Sequence, residues 1–172
     1  PKTIGKVRAF YGNFLVLLRA WVYIRLMGGD GLREAAIRAV ANANYLKEKL
    51  KGHYPMPGKD LRKHEFVLSG KELKEKYGVR TLDVAKRLLD YGYHAPTVYF
   101  PLIVDEAIMV EPTETESKEE LDSFAEALIR IKREAEEDPE LLKTAPRNTA
   151  VERVDDVRAA RKPLLTWKDM GL

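Results

Sequence analysis

Cysteine is absent from the 172 residues, which excludes a disulfide framework and any thiol nucleophile or thiolate metal ligand. Charge of one sign is scarce as well. The 30 Lys and Arg against 27 Asp and Glu leave a formal +3, interleaved along the chain, too small an excess for a nucleic-acid or acidic-membrane footprint. Long apolar runs are missing too. Phe14 to Leu18 and Ala20 to Ile24 are interrupted by Arg19 and Arg25, well short of the ~20 residues a bilayer requires. Tyr11 and Asn13 precede that stretch where a signal peptide would carry cations, and no cleavage pattern follows. There is no internal repeat, no low-complexity tract and no Gly-rich phosphate loop. Gly28-Gly29-Asp30-Gly31 lacks the Lys-Ser/Thr ending of such a loop and reads as a helix elbow.

What is present describes an ordinary globular chain, 45% hydrophobic and 33% charged, long enough to bury a core. Phe14 to Met27 is apolar nearly all round, which predicts a buried core helix ending at Gly28-Gly29. Asp30 offers an N-cap for a second helix, in which Leu32, Ala36, Val40, Ala43, Leu46 and Leu50 recur at helical spacing until Gly52. After the proline-punctuated segment 54–58, Glu65 to Leu68 predicts a strand, and Lys71 to Tyr77 a short helix. Thr81 can cap the next helix, which ends at Tyr91-Gly92. Thr97 to Phe100 and Ala107 to Val110 read as strands, joined too tightly for a parallel crossover and therefore antiparallel. Ser117 to Glu120 forms a capping box ahead of an amphipathic helix that stops near Asp138-Pro139. The expected fold is α+β: a small antiparallel sheet with helices on one face, preceded by two long helices.

Only three histidines offer a site. His53, beside Gly52 at a helix end, reads as a solvated terminal residue favoured by the helix dipole. His64 stands at the mouth of a strand. His94 lies in the aromatic turn Tyr91-Gly92-Tyr93-His94-Ala95-Pro96, and loops of that kind often carry function. None shares a helix face at i,i+4 with another, and the acidic cluster Glu111, Glu114 and Glu116 includes Pro112 and lacks a nearby histidine, so no metal site is expected. That acidic run reads as negative charge favouring the N-terminus of the following helix.

Several stretches go further. Phe10-Tyr11-Gly12-Asn13-Phe14, Arg19 to Arg25, Ala41-Asn42-Ala43-Asn44-Tyr45-Leu46, His64-Glu65-Phe66-Val67-Leu68-Ser69, Val79 to Thr97, Phe100 to Glu106 and Glu111 to Lys118 are colinear with one family. They resemble the C-terminal portion of the P-protein of the glycine cleavage system, glycine dehydrogenase (decarboxylating), in its two-subunit form, second subunit. The resemblance implies a fold-type-I pyridoxal-phosphate enzyme. Residues 1–52 would then be strut helices leading from a large domain, 53–140 the C-terminal small domain, and 141–172 an extended tail. The Schiff-base lysine of that family lies in a His-Lys pair ahead of a Gly-rich stretch. Here Lys63-His64 is the reverse order, so the lysine is expected upstream and this chain alone is expected to be inactive.

The implied chemistry is decarboxylation of glycine on pyridoxal 5'-phosphate, with transfer of the aminomethyl group to the lipoyl arm of H-protein, in a cytoplasmic assembly with subunit 1. His64 is a candidate for the substrate carboxylate, and His94 and Tyr93 for the lipoyl entrance. Tyr11 and Asn13 are candidates near the cofactor or the partner subunit. The competing expectation is a stand-alone α+β binding or regulatory module without activity. Isolated from a larger body, the apolar stretch from Phe14 to Met27 predicts self-association.

Overall fold

A computed structural model describes residues 2–58 and 61–171. Helix α1, Phe14–Leu50, is interrupted at one residue: Gly28 has φ 62° and ψ −176°, a conformation open in practice to glycine alone. The two predicted helices and their elbow are therefore present, joined without a loop. The segments from Phe66–Ser69 (β1) through Lys71–Tyr77 (α2) and Thr81–Asp90 (α3) follow. Strands Thr97–Val98 (β2) and Ala107–Val110 (β3) precede the long helix Lys118–Glu137 (α4). The sheet order is β1-β3-β2 with both pairings antiparallel, so the last strand inserts between the other two. β2 is shorter than expected because Tyr99 turns into the left-handed region, at φ 60°.

Register decides which face is buried. Phe66 pairs with Val110 and Leu68 with Ile108, and these four side chains share the core with Leu46, Leu50, Val84, Leu88, Leu128 and Ile131 from the helices. Val67 and Met109, paired on the opposite face, are only half-buried. The helices thus cover one face of the sheet. Ser117 caps α4, its hydroxyl accepting from the Glu120 backbone N–H at 3.2 Å. Tyr54 crosses the core to donate its hydroxyl to the Leu128 carbonyl at 2.8 Å.

Three expectations need correction. The first half of α1 is helical but not buried: Phe14, Leu15, Trp21, Ile24 and Leu26 are 54–80% accessible, because no other element among the described residues covers them. Thr81 is not a cap. It is the first residue of α3, fully buried, and its hydroxyl donates to the Glu106 carbonyl at 2.8 Å while its N–H donates to the Glu106 carboxylate, also at 2.8 Å. The segment from Leu141 onward is not simply extended. A short helix α5, Pro139–Lys143, buries Leu142, and Ala145 is buried just after it. Asp90 then accepts from the backbone N–H groups of Arg147 and Asn148, each at 2.7 Å. Beyond Arg153, whose guanidinium meets the Asp83 carboxylate at 2.5 Å, the chain is exposed, with a helix α6, Asp156–Arg161, and a 3-10 turn, Trp167–Met170.

Candidate functional site

The cavity of interest opens where α1, the α3–β2 loop, the end of β3 and the start of α4 converge. It encloses about 420 Å³. Leu46, Met109, Leu121 and Phe124 line its apolar part, and the mouth carries His94, Thr97, Glu111, Glu116 and Glu120. An apolar floor with a few convergent polar groups is the usual make-up of a small-molecule site.

Each wall is held for a local reason. The Tyr93 N–H closes the end of α3 on the Leu88 carbonyl at 3.0 Å, which turns the following residues back toward β2. The Tyr93 ring meets Phe124 edge-on, with centroids 5.1 Å apart and planes at 82°, and its hydroxyl donates to Ser123 Oγ at 2.7 Å. Across the mouth, Asn42 on α1 donates to the Thr113 carbonyl at 2.8 Å and so pins the acidic loop. Asn44, half a turn on, ties down the approach to β1: it donates to the Arg62 carbonyl at 2.7 Å and accepts from the Arg62 N–H at 2.8 Å. The Asn-Ala-Asn spacing of α1 thus serves two different loops.

Electrostatically the mouth is one-sided. No Lys or Arg among the described residues lines the cavity. Lys118 and Lys49 are both engaged by Asp122, at 2.7 and 2.8 Å, and Asp122 also accepts from the Tyr45 hydroxyl at 2.5 Å. The hydrogen bonds from Lys118, then Lys49 and Tyr45, hold the Asp122 carboxyl well below the usual carboxylate range.

Of the residues singled out from sequence, the structure brings His94 and Tyr93 to this cavity. His64 does not line it but stands beside one of its walls, with Nε2 3.6 Å from Glu111 Oε1. This corrects the expectation that the acidic run has no histidine near it. Continuing the antiparallel register past the Phe66–Val110 pair brings Glu65 opposite Glu111, with His64 one residue further on. Their ligand atoms all lie within 4.8 Å of one another, so the three form a possible metal-ligand set that sequence spacing could not reveal. Tyr11, fully solvent-facing, and Asn13, the N-cap of α1 whose side chain makes no capping bond, line no part of the cavity. Sequence reasoning missed Thr97, Met109, Glu116, Glu120 and Phe124 as a group. The acidic run is the one signal of them visible in the sequence, where it reads as helix-favouring charge.

Pyridoxal 5'-phosphate does not fit this cavity. Three carboxylates at the mouth would repel its phosphate, and no lining lysine could form a Schiff base. No helix of the described residues is long and apolar enough to cross a membrane.

Comparison with known proteins decides the family. The profile "Glycine dehydrogenase, C-terminal domain" matches residues 35–152, well over half of the chain. The chain belongs to the glycine dehydrogenase C-terminal domain family. Within that family it is 64% identical over 170 residues to "Probable glycine dehydrogenase (decarboxylating) subunit 2" of Pyrococcus furiosus. The match covers 98% of this chain and 34% of the relative. Proteins of the same name from Thermococcus onnurineus and Caldanaerobacter subterraneus subsp. tengcongensis are 62% and 63% identical, over 98% and 97% of this chain and 34% of each relative. The chain therefore spans about a third of the length of the curated relatives it matches.

Proposed function

We propose that this chain is the C-terminal portion of the pyridoxal-phosphate subunit of glycine dehydrogenase (decarboxylating), subunit 2 of a two-subunit enzyme. The observation that carries the reading is near-complete, colinear identity of 62–64% with subunit-2 relatives, of which the chain covers a third. In this reading the small-domain architecture is that of a fold-type-I enzyme. Residues 1–52 are the strut out of the large domain, 53–140 the small domain, and 141–172 an arm on its surface. The substrate is glycine, the acceptor is the lipoyl arm of H-protein, and the setting is cytoplasmic.

Pyridoxal 5'-phosphate would supply the electron sink for decarboxylation and would be held by the remainder of the polypeptide. This chain's share is positioning. His64, exposed at the mouth of β1 and in reach of Glu111, is placed to present an imidazole N–H to a substrate carboxylate. His94 and Tyr93 border the approach for the lipoyl arm. Tyr11 and Asn13, on the open face of the strut, face the large domain or the partner subunit. The uncovered apolar half of α1 supports this reading over a stand-alone module, since a module of that kind would leave a long apolar face in water.

The test is reconstitution. The whole polypeptide that contains this chain, combined with subunit 1 and lipoylated H-protein, is expected to release carbon dioxide from glycine, and this chain alone is not. Release that needs neither the rest of the polypeptide nor H-protein, or its absence from the complete mixture, overturns the proposal.

A further inference from the structure

The cavity between α1, the α3–β2 loop and α4 has a charge character opposite to that of the chain around it. The protein as a whole carries a formal +3, yet every formally charged side chain in the lining is a glutamate. Glu116 and Glu120 meet no Lys or Arg among the described residues, and Glu111 has only His64. The nearby ammoniums that could have balanced them, Lys118 and Lys49, are both held by Asp122. Behind the acidic mouth, Met109 and the edge-to-face pair Tyr93–Phe124 form an apolar, aromatic wall.

We infer that this cavity binds a cationic group on an alkyl stem: an ammonium or guanidinium at the carboxylate mouth, with its methylenes against Met109, Tyr93 and Phe124. Three carboxylates around a concave, partly apolar opening, two with no Lys or Arg partner among the described residues and the third with only His64, focus a negative potential that selects cations. The Met109, Tyr93 and Phe124 wall takes the methylenes of the stem out of water. A stem of four carbons is short enough for about 420 Å³ to enclose it. The geometry excludes the opposite class, since an alkyl carboxylate or phosphate would meet three like charges. This inference stands apart from the enzymatic reading, because it concerns the binding preference of the cavity and not turnover.

The experiment follows the Met109 methyl resonance of the 172-residue chain by NMR, with four methionines to assign, in a Leu17→Glu/Ile24→Glu background that removes self-association through α1. The titrants are n-butylammonium, butyrate and n-butanol, and, as a mimic of a side chain presented by a protein, Nα-acetyl-lysine methylamide. A saturable Met109 shift with both ammonium probes, weaker with butanol and absent with butyrate, is expected, and added salt should weaken it. Tighter binding of the lysine derivative identifies a presented side chain as the source, and equal binding identifies a free amine; either supports the inference. The E116Q/E120Q variant alters two exposed side chains and should keep the fold while lowering ammonium affinity about fivefold. No saturable shift, butyrate binding as well as butylammonium, or unchanged ammonium affinity in the variant overturns the inference.

Discussion

Glu106 is the most exacting test of how this fold is held together. Its side chain is nearly buried, in a left-handed residue at φ 49°. One carboxylate oxygen accepts from the Thr81 N–H at 2.8 Å and the other meets the Lys74 ammonium at 2.7 Å. Its carbonyl accepts from the Thr81 hydroxyl and from the Gly70 N–H, each at 2.8 Å. Gly70 has to be a glycine here, since a Cβ would stand 2.7 Å from Thr81 Oγ1. The loop before β3, the start of α3 and helix α2 with its N-cap therefore meet at one residue.

Glu106→Ala leaves a buried backbone donor without its charged acceptor, a loss of about 3 kcal/mol. Lys74 is 43% accessible and rehydrates, so it adds little. Glu106→Gln keeps an oxygen for the Thr81 N–H and loses only the charge, about 1 kcal/mol. Burial pushes the Glu106 carboxyl up, but the hydrogen bonds from Lys74 and Thr81 outweigh it and hold the group below its ordinary 4.5. A depressed carboxylate contributes its stability in full above the unfolded value, 4.5, and loses it as pH falls toward the lowered native value. Urea unfolding near neutrality should thus rank wild type, Gln, Ala, and acidification below 4.5 should close the gap between wild type and Gln. An Ala variant within 1 kcal/mol of wild type, or a Gln variant as damaged as Ala, would refute the reasoning.

Four further outcomes are expected. The isolated chain should self-associate through the uncovered half of α1, and Leu17→Glu with Ile24→Glu should abolish this without lowering the unfolding temperature of the core. Ultracentrifugation of a clean wild-type monomer at high concentration would count against it. Asp90→Asn weakens the acceptor for the Arg147 and Asn148 N–H groups, so hydrogen exchange at those two amides should rise severalfold while that of Leu128 and Ile131 stays slow. Tyr54→Phe removes the bond to the Leu128 carbonyl at a cost of about 1 kcal/mol, read as a lower urea midpoint at unchanged slope. Burial pushes the Tyr54 hydroxyl far up, so it should not titrate before the protein unfolds in alkali.

Local pattern carried much of the fold. The apolar period of α4, its Ser117 cap, the Gly28 elbow and the two β-strands Phe66–Ser69 and Ala107–Val110 lie within a residue or two of where side-chain spacing places them. These signals arise from neighbours three or four positions apart, and such neighbours are visible in a string. Family membership was legible for a related reason: long colinear stretches retain their residue order whatever the structure does with them.

Thr81 shows the limit. A threonine ahead of an amphipathic run reads as a cap, but Glu106, 25 residues away, takes both its hydroxyl and its N–H. The cavity is a stronger case. Its acidic mouth draws on the β3–α4 loop and α4, its aromatic wall on the α3–β2 loop and α4, and its position on two asparagines of α1. His64 and Glu111 are far apart in sequence and become neighbours through the antiparallel register of β1 on β3. Composition, periodicity and resemblance determined the elements up to α4, their order and the family. Which side chains share a cavity, which carboxylates lack a cation, and which apolar face stays open were decided by the tertiary structure, because each depends on strand register and helix packing between residues distant along the chain.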